Sequence, residues 1–195
     1  MNRQRQELLR ELEKFGADND ARASQRQQKM LNITPDTGAF LAILVRASRA
    51  RSILEIGTSN GYSTIWLADA AEAQGASVVT VEALSAKADL ARENFARAGL
   101  VGMIDIHRGA AADFLQRHAN ATYDFIFLDA DRSQYPAWWP ELERVLVPGG
   151  LLVVDNAVSH GAEMATFLQL VAATPEFQSV VVPIGNGELV GLKGG

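Results

Sequence analysis

Residues 52–73 read SILEIGTSNGYSTIWLADAAEA, and this stretch sets the expectation for the whole fold. It opens with a short apolar run rich in branched side chains, which is typical of a buried strand. Gly57 and Gly61 then mark the two ends of a loop, and a helical sequence follows. A strand, a glycine-containing turn and a helix in this order form the first half of a βαβ unit. The stretch therefore predicts a parallel sheet with helices packed on it.

The same alternation continues toward the C-terminus. Apolar runs recur as VVTVEA at 78–83, IDIHRG at 104–109, YDFIFLDA at 123–130 and LLVVDN at 151–156. FIFL and LLVV lack polar alternation, as expected for strands that are covered on both faces. A helix over Pro140–Leu146 and a turn at Pro148–Gly150 are predicted before the fifth run.

The two final runs, 179–185 and 188–194, are separated only by the turn at Gly185–Gly187. Because no crossover fits between them, they predict an antiparallel hairpin. The chain as a whole therefore predicts an α/β, Rossmann-like, doubly wound and mostly parallel sheet of seven strands, which ends in this C-terminal hairpin.

Residues 1–30 differ from the rest, because they are rich in Arg, Gln and Glu. Leucines at 8, 9 and 12 and Phe15 recur at helical spacing and predict an amphipathic helix over residues 3–15. The helix either caps the main domain or covers a site or partner. We therefore divide the chain into an N-terminal helical appendage, 1–30, and a main domain, 31–195. Thr34 and Pro35 mark the start of the next helix.

Composition excludes several classes of protein. The 195 residues carry a formal net charge of -5 and no cysteine, which argues against a general nucleic-acid surface and excludes disulfide scaffolds and thiolate zinc sites. No apolar run approaches the ~20 residues of a membrane span, and the first residues lack a signal-peptide core. We expect a cytoplasmic protein with no nucleic-acid or membrane partner.

Polar residues and glycines collect where the predicted strands end. Ligands of open parallel sheets bind beyond these carboxyl ends. The residues there are Glu55, Gly57, Thr58, Gly61, Glu82, Gly109, Ala110, Asp129, Asp131, Asp155 and Asn156.

The first two strand ends indicate a nucleoside cofactor without phosphates. The loop at 57–61 lacks the third glycine of the dinucleotide fingerprint, and Glu55 would repel a pyrophosphate. Glu82 is suited to accept hydrogen bonds from both ribose hydroxyls. S-adenosylmethionine fits, because its amino and sulfonium groups are cationic. A tight turn without a ligand and a solvated acid remain the alternatives.

The last strand ends indicate a metal site. Asp129, Asp155 and Asn156 offer two carboxylates and an amide oxygen from neighbouring strands. Magnesium prefers such oxygen ligands, and calcium or manganese would also accept them. The alternative is that the two aspartates cap helices or bind loop amides.

Together these motifs resemble the cation-dependent class I O-methyltransferases, the group of catechol and caffeoyl-CoA O-methyltransferases and their bacterial relatives. The resemblance rests on LEIGTSNGYS at 54–63, Glu82, FLDAD at 127–131 and the Asp155-Asn156 pair, and it covers residues 30–193. It implies S-adenosylmethionine, a divalent cation at Asp129, Asp155 and Asn156, and a homodimer. The implied cofactor contacts are Ile33, Glu55, Gly57, Thr58, Ser63, Glu82, Ala110 and Asp131, to which the strand ends add Gly61, Gly109 and Asp129.

One position departs from the family pattern. The family usually has Lys, the assigned base, where this chain has Arg132, and a guanidinium keeps its proton at neutral pH. Arg132 could instead hold an acidic substrate or stabilise an oxyanion, or it is a surface arginine. With Asp129 it forms our candidate catalytic pair.

Three further residues are candidate substrate contacts. The resemblance places Tyr135 near the substrate, and Trp138 could add to an aromatic wall. Adjacent tryptophans face different sides of a helix, so at most one of Trp138 and Trp139 lines a pocket. His160 follows the Asp155-Asn156 pair, with an exposed loop histidine as the alternative.

The sequence thus predicts an S-adenosylmethionine-dependent O-methyltransferase that acts on a small molecule with adjacent oxygens. Two alternatives remain open. One is an NAD(P)-dependent oxidoreductase on a similar sheet, and the other is a protein that binds S-adenosylmethionine but has lost catalysis.

Overall fold

A seven-stranded sheet forms the centre of the protein, whose computed structural model describes all residues from 1 to 195. Its strands are β1 (Ser52–Ile56), β2 (Ser77–Glu82), β3 (Ile104–Arg108), β4 (Tyr123–Leu128), β5 (Leu146–Val154), β6 (Phe177–Val182) and β7 (Glu188–Lys193). They lie in the order β3-β2-β1-β4-β5-β7-β6. Only β7 runs antiparallel to its neighbours, β5 and β6. The predicted fold class is confirmed.

Helices cover both faces of the sheet. They are α1 (Arg3–Arg22), α2 (Pro35–Ser48), α3 (Tyr62–Glu72), α4 (Ser85–Ala98), α5 (Ala111–Arg117), α6 (Tyr135–Val145) and α7 (Gly161–Ala173). One apolar cluster lies under α1 to α4, and a second lies under α5 to α7. None of these helices combines the length and the hydropathy needed to cross a bilayer.

Helix α1 is longer than predicted and packs on the domain. Leu8, Leu9 and Leu12 are buried in the same cluster as Leu41 of α2, whereas Phe15 is largely exposed. Asn2 caps the helix, because its side-chain oxygen accepts a hydrogen bond from the N–H of Arg5. The packing agrees with a cap on the main domain, and the division of the chain near residue 30 stays a prediction.

Two local predictions before the fifth strand were wrong. Helix α6 begins at Tyr135 and contains Pro140, rather than starting there. Residues 148–150 do not separate two elements, because they lie inside β5. Tyr123 pairs with Leu146 and Phe125 pairs with Leu151, so the residues between them bulge out of the ladder. Gly149 adopts a positive φ of 78°, which permits this bulge.

Candidate active site

The loop after β1 takes a path that needs glycine. Gly57 and Gly61 have φ values of 107° and 85°, a region that side chains disfavour. A Cβ on Gly61 would lie 2.5 Å from Cε1 of Phe95, so the loop is pressed against α4. Gly61 also caps α3, whose N-terminus therefore faces the carboxyl edge of the sheet.

Glu55 lies within β1, beneath this loop, and is completely buried. Its carboxylate accepts hydrogen bonds from Ser63 Oγ at 2.6 Å, Thr80 Oγ1 at 2.6 Å and Thr64 Oγ1. Burial raises the pKa of Glu55 to about 7. The carboxylate therefore supports the loop from below, and a direct cofactor contact stays a prediction. The sequence reasoning missed Thr64 and Thr80, since hydroxyl partners of a buried acid carry no motif.

Thr58 joins the same buried network. Its Oγ1 lies 2.6 Å from Thr80 Oγ1, the hydroxyl that also donates to Glu55. The loop residues predicted from the motif are thus fixed by side chains of β1 and β2.

Glu82 ends β2 and bridges two loops. One carboxylate oxygen accepts the Ser59 N–H at 2.8 Å, and the other accepts the Leu84 N–H at 2.8 Å. Its carbonyl accepts the Gly109 N–H at 2.9 Å. The carboxylate is thereby fixed at the edge where a ribose would lie, and each oxygen keeps a further lone pair for a hydroxyl donor.

A short segment, residues 29–33, lies across the glycine loop. Ser59 Oγ donates to the Met30 carbonyl at 2.7 Å, and Lys87 Nζ donates to the Lys29 carbonyl at 2.6 Å. The Asp20 carboxylate accepts the N–H groups of Met30 and Leu31 at 2.6 and 2.8 Å. Ile33 follows three residues after Met30 and is buried in the apolar cluster under α1 to α4.

Two predicted cofactor residues lie at the open rim of the same edge. Ala110 is exposed and precedes α5, and Asp131 is exposed and accepts from the Ser133 N–H at 3.2 Å. Both are exposed to solvent at this edge, and a cofactor contact of either stays a prediction.

Asp129, Asp155 and Asn156 converge, as the sequence predicted. Asn156 Nδ2 lies 3.2 Å from Asp129 Oδ1 and 3.0 Å from Asp155 Oδ2. The Asn156 N–H also donates to Asp155 Oδ1 at 2.7 Å, and Asn156 adopts a positive φ of 69°. The left-handed backbone turns the amide back toward both carboxylates.

The two carboxyl groups of this trio lie in a poorly solvated environment. Burial raises the pKa values of both Asp129 and Asp155, the charge of Asp155 adds to the shift at Asp129, and the Arg132 guanidinium opposes both shifts. No group of three His, Cys, Asp or Glu side chains has metal-binding spacing. The Asn156 amide is the third polar group here, and a rotation about its terminal bond would present Oδ1 instead of Nδ2. Two carboxylates and one amide oxygen fit a hard divalent cation.

Arg132 is not a surface arginine, because only 6% of it is exposed. Its Nε donates to Glu163 Oε2 at 2.9 Å. Its charge is felt at the neighbouring acids, because the guanidinium acts to lower the pKa values of Asp129 and Asp155. A buried positive charge thus lies near Asp129.

The aromatic candidates differ in exposure. Tyr135 is fully buried, and its hydroxyl accepts the Ala130 N–H at 2.6 Å, so it supports the turn after Asp129. Trp139 is buried against Phe167, whereas Trp138 is half-buried beside Tyr135. Of the two tryptophans, only Trp138 has a partly exposed side chain that could contact a substrate. A direct contact of Tyr135 with substrate stays a prediction.

His160 is half-buried and lies near the trio of Asp129, Asp155 and Asn156. Its Nδ1 lies 2.9 Å from Ser159 Oγ, and Ser159 Oγ also donates to Asn156 Oδ1 at 3.2 Å. The structure therefore connects His160 to Asn156 through one hydroxyl.

The sequence reasoning missed Glu188. This acid opens β7, is completely buried, and accepts from Thr37 Oγ1 at 2.9 Å. Burial and the nearby Asp155 raise the pKa of Glu188. The available signal was a charged residue at the start of an otherwise apolar strand, ELVGL, which follows a turn.

Comparisons with known proteins identify the family of this chain. A family model described as O-methyltransferase matches residues 2–189. A catechol O-methyltransferase of Mycobacterium tuberculosis is 39% identical over 133 residues, which cover 68% of this chain and 60% of that protein. A catechol O-methyltransferase of Niastella koreensis is 37% identical over 134 residues, 67% of this chain and 60% of that protein. The chain thus matches about three fifths of the length of these relatives.

Solved structures share the fold over nearly the whole chain. The O-methyltransferase from Bacillus cereus in complex with SAH has a TM-score of 0.82 and 32% identity, covering 96% of this chain and 90% of that one. The O-methyltransferase TomG from Streptomyces achromogenes in complex with SAM has a TM-score of 0.81 and 26% identity, covering 100% and 91%. The match of the family model and these likenesses confirm the resemblance found in the sequence, and the chain belongs to the O-methyltransferase family.

Proposed function

We propose that this protein transfers a methyl group from S-adenosylmethionine to a hydroxyl of a small acceptor with two adjacent oxygens, such as a catechol, with the help of a divalent cation, most simply Mg²⁺. The observation that carries the proposal is the convergence of Asp129, Asp155 and Asn156 beside the glycine loop at 57–61. This loop is hydrogen-bonded to Glu82 through the Ser59 N–H. The catechol O-methyltransferase relatives and the neighbours solved with SAH or SAM support it.

The glycine loop and Glu82 would bind the cofactor. Glu82 would accept hydrogen bonds from the ribose hydroxyls. The segment 29–33, which is hydrogen-bonded to Ser59, would cover the loop. Glu55 would place a carboxyl group below the loop, and its ionised form favours a cationic sulfonium over a pyrophosphate. The same charge makes the NAD(P)-dependent alternative the weaker one.

Asp129, Asp155 and Asn156 would hold the cation. When bound, it would lower the pKa of an acceptor hydroxyl and fix the positions of two adjacent oxygens. Arg132 would stabilise negative charge on the acceptor through its positive charge near Asp129, although it cannot remove the proton. The hydroxyl proton therefore leaves to solvent or to another base.

Methyl transfer then needs little more than alignment. The acceptor oxygen forms a bond to the methyl carbon as the carbon–sulfur bond breaks, giving a methyl ether and S-adenosylhomocysteine. Holding both reactants at one edge of the sheet supplies most of the acceleration. Trp138 would form one wall for a planar acceptor.

The direct test is an assay of the purified protein with S-adenosylmethionine and a panel of diols, flavonoids and hydroxamates, with either Mg²⁺ or EDTA. We expect a methylated product that is detected by mass spectrometry and lost in EDTA. Full activity in EDTA would remove the cation from the proposal. Tight binding of S-adenosylhomocysteine without any methylation would favour a protein that has lost catalysis. The homodimer implied by the resemblance is checked separately by light scattering.

A further inference from the structure

Glu188 is a buried carboxylate to which the proposed cofactor and cation sites assign no role. It is completely enclosed between α2 and β5, where it lies against Asp155. Its Oε1 accepts the hydrogen bond from Thr37, whereas its Oε2 has no hydrogen-bond partner. A buried acceptor without a partner is destabilising, so its presence calls for a specific interaction.

Asp155 is held on two sides. The N–H and the side-chain amide of Asn156 donate to its two oxygens at 2.7 and 3.0 Å. Glu188 lies across from Asp155 on the neighbouring strand, because Leu189 of β7 pairs with Val154 of β5 in antiparallel register. Asp129, Asp155 and Glu188 do not have the spacing of a metal site made of three acids. The one hydrogen bond of Glu188 goes to Thr37, so we assign Glu188 as a neighbour of Asp155 and not as a ligand.

Thr37 extends this arrangement to the first turn of α2. It is fully buried, and its hydroxyl lies 3.2 Å from Thr34 Oγ1, the group that caps the helix. Hydrogen bonds thus run from the start of α2 through Thr37 to Glu188, and the β5–β7 register places Glu188 next to Asp155. Such an arrangement fixes the orientation of the last carboxylate.

We propose that Glu188 is a positioning residue that orients Asp155 and increases the affinity of Asp129, Asp155 and Asn156 for a divalent cation. Residues behind metal ligands set the orientation and basicity of those ligands. This inference rests on the cation of the proposed function.

The test is Mn²⁺ binding to the purified full chain, followed by electron paramagnetic resonance, so it does not depend on turnover. We expect Glu188→Leu to weaken Mn²⁺ binding by about 10- to 100-fold, the usual effect of losing a residue behind a metal ligand. Glu188→Gln should recover part of the affinity, because its amide keeps the shape and a polar contact. Glu93→Gln, which neutralises an exposed acid of α4, is the matched control and should bind like wild type.

Two further measurements separate positioning from general loss of structure. Binding of S-adenosylhomocysteine, measured by calorimetry, should be unchanged in Glu188→Leu. The Tm of the metal-free variant should equal or exceed that of wild type, since an apolar side chain replaces a buried, incompletely paired acid. A lower Tm together with weaker nucleoside binding would show a purely structural role and overturn the inference.

The remaining outcomes are also decisive. Mn²⁺ affinity of Glu188→Leu within about twofold of wild type would overturn the inference and leave the proposed function intact. If wild type binds no Mn²⁺, the cation of the proposed function and the inference fail together. If Glu188→Leu does not fold, Mn²⁺ binding is measured on Thr37→Val instead. We expect this variant to bind Mn²⁺ more weakly than wild type. Wild-type affinity in Thr37→Val would overturn the inference.

Discussion

The backbone of Gly57 passes so close to Asp129 that a Cβ on the glycine would lie 1.9 Å from the Asp129 carbonyl oxygen. The glycine belongs to the predicted cofactor loop, and the aspartate belongs to the predicted cation site. No side chain fits between them, so the two sites share one fixed boundary. The distance between a bound cofactor and an acceptor on the cation would therefore be set by backbone, which resists displacement.

Replacing Gly57 with Ala should separate the two loops. We expect a loss of more than about 2 kcal/mol in the free energy of unfolding, because a backbone clash adds to the strain of a positive φ. The measurement is urea denaturation. Gly99→Ala is the matched control, since Gly99 also has a positive φ of 69° but no atom within 4 Å of its Cβ position. An equal loss of unfolding free energy in the two variants would show that backbone strain at positive φ explains the Gly57→Ala effect without a clash with Asp129.

Glu82→Gln should weaken nucleoside binding and also remove the acceptor of either the Ser59 or the Leu84 N–H, because one of the two oxygens becomes an amide nitrogen. Hydrogen bonds to a charged group contribute about 1.5 to 3 kcal/mol, so we expect about a 10- to 100-fold loss of affinity for S-adenosylhomocysteine. Isothermal titration calorimetry measures it, with Glu93→Gln as the control. An unchanged affinity would place the ribose away from Glu82.

The stability of the metal-free protein should fall as the pH rises from about 4.5 to 7. Burial raises the pKa of Glu55 from 4.5 to about 7, so the folded state keeps a proton that the unfolded state has lost. The effect is on the order of 3 kcal/mol for this group. Glu55→Gln should make the profile less steep by this amount, while Asp129, Asp155 and Glu188, whose pKa values are also raised, keep part of the slope. Urea denaturation in EDTA measures it. A profile as steep as that of wild type would mean that Glu55 is ionised at low pH.

Arg132→Gln should slow methyl transfer more than it weakens cofactor binding. Removing one preorganised donor near a developing oxyanion typically costs about 10²- to 10³-fold in kcat. Arg132→Lys keeps the charge and should retain more activity. Turnover of whichever acceptor is methylated gives kcat, and calorimetry gives the affinity for S-adenosylhomocysteine. A wild-type kcat in Arg132→Gln would exclude this electrostatic role.

Sequence patterns predicted the fold and the convergence of the cation trio, because strand ends of a parallel sheet must meet at one edge. They did not predict the bulge in β5, since Pro148–Gly150 has the composition of a turn. They also missed Glu188, whose partner Thr37 is 151 residues away in the chain. Burial and partner identity depend on tertiary packing, and local periodicity does not report them.

Two separate neighbouring sites, one for the cofactor and one for the cation, are proposed to serve one reaction. Asp155→Ala separates them, when turnover with Mg²⁺ and affinity for S-adenosylhomocysteine are measured on the same preparation. We expect metal-dependent turnover to be abolished, while the affinity for the nucleoside stays close to that of wild type. Unchanged turnover in this variant would show that Asp155 holds no cation needed for methyl transfer.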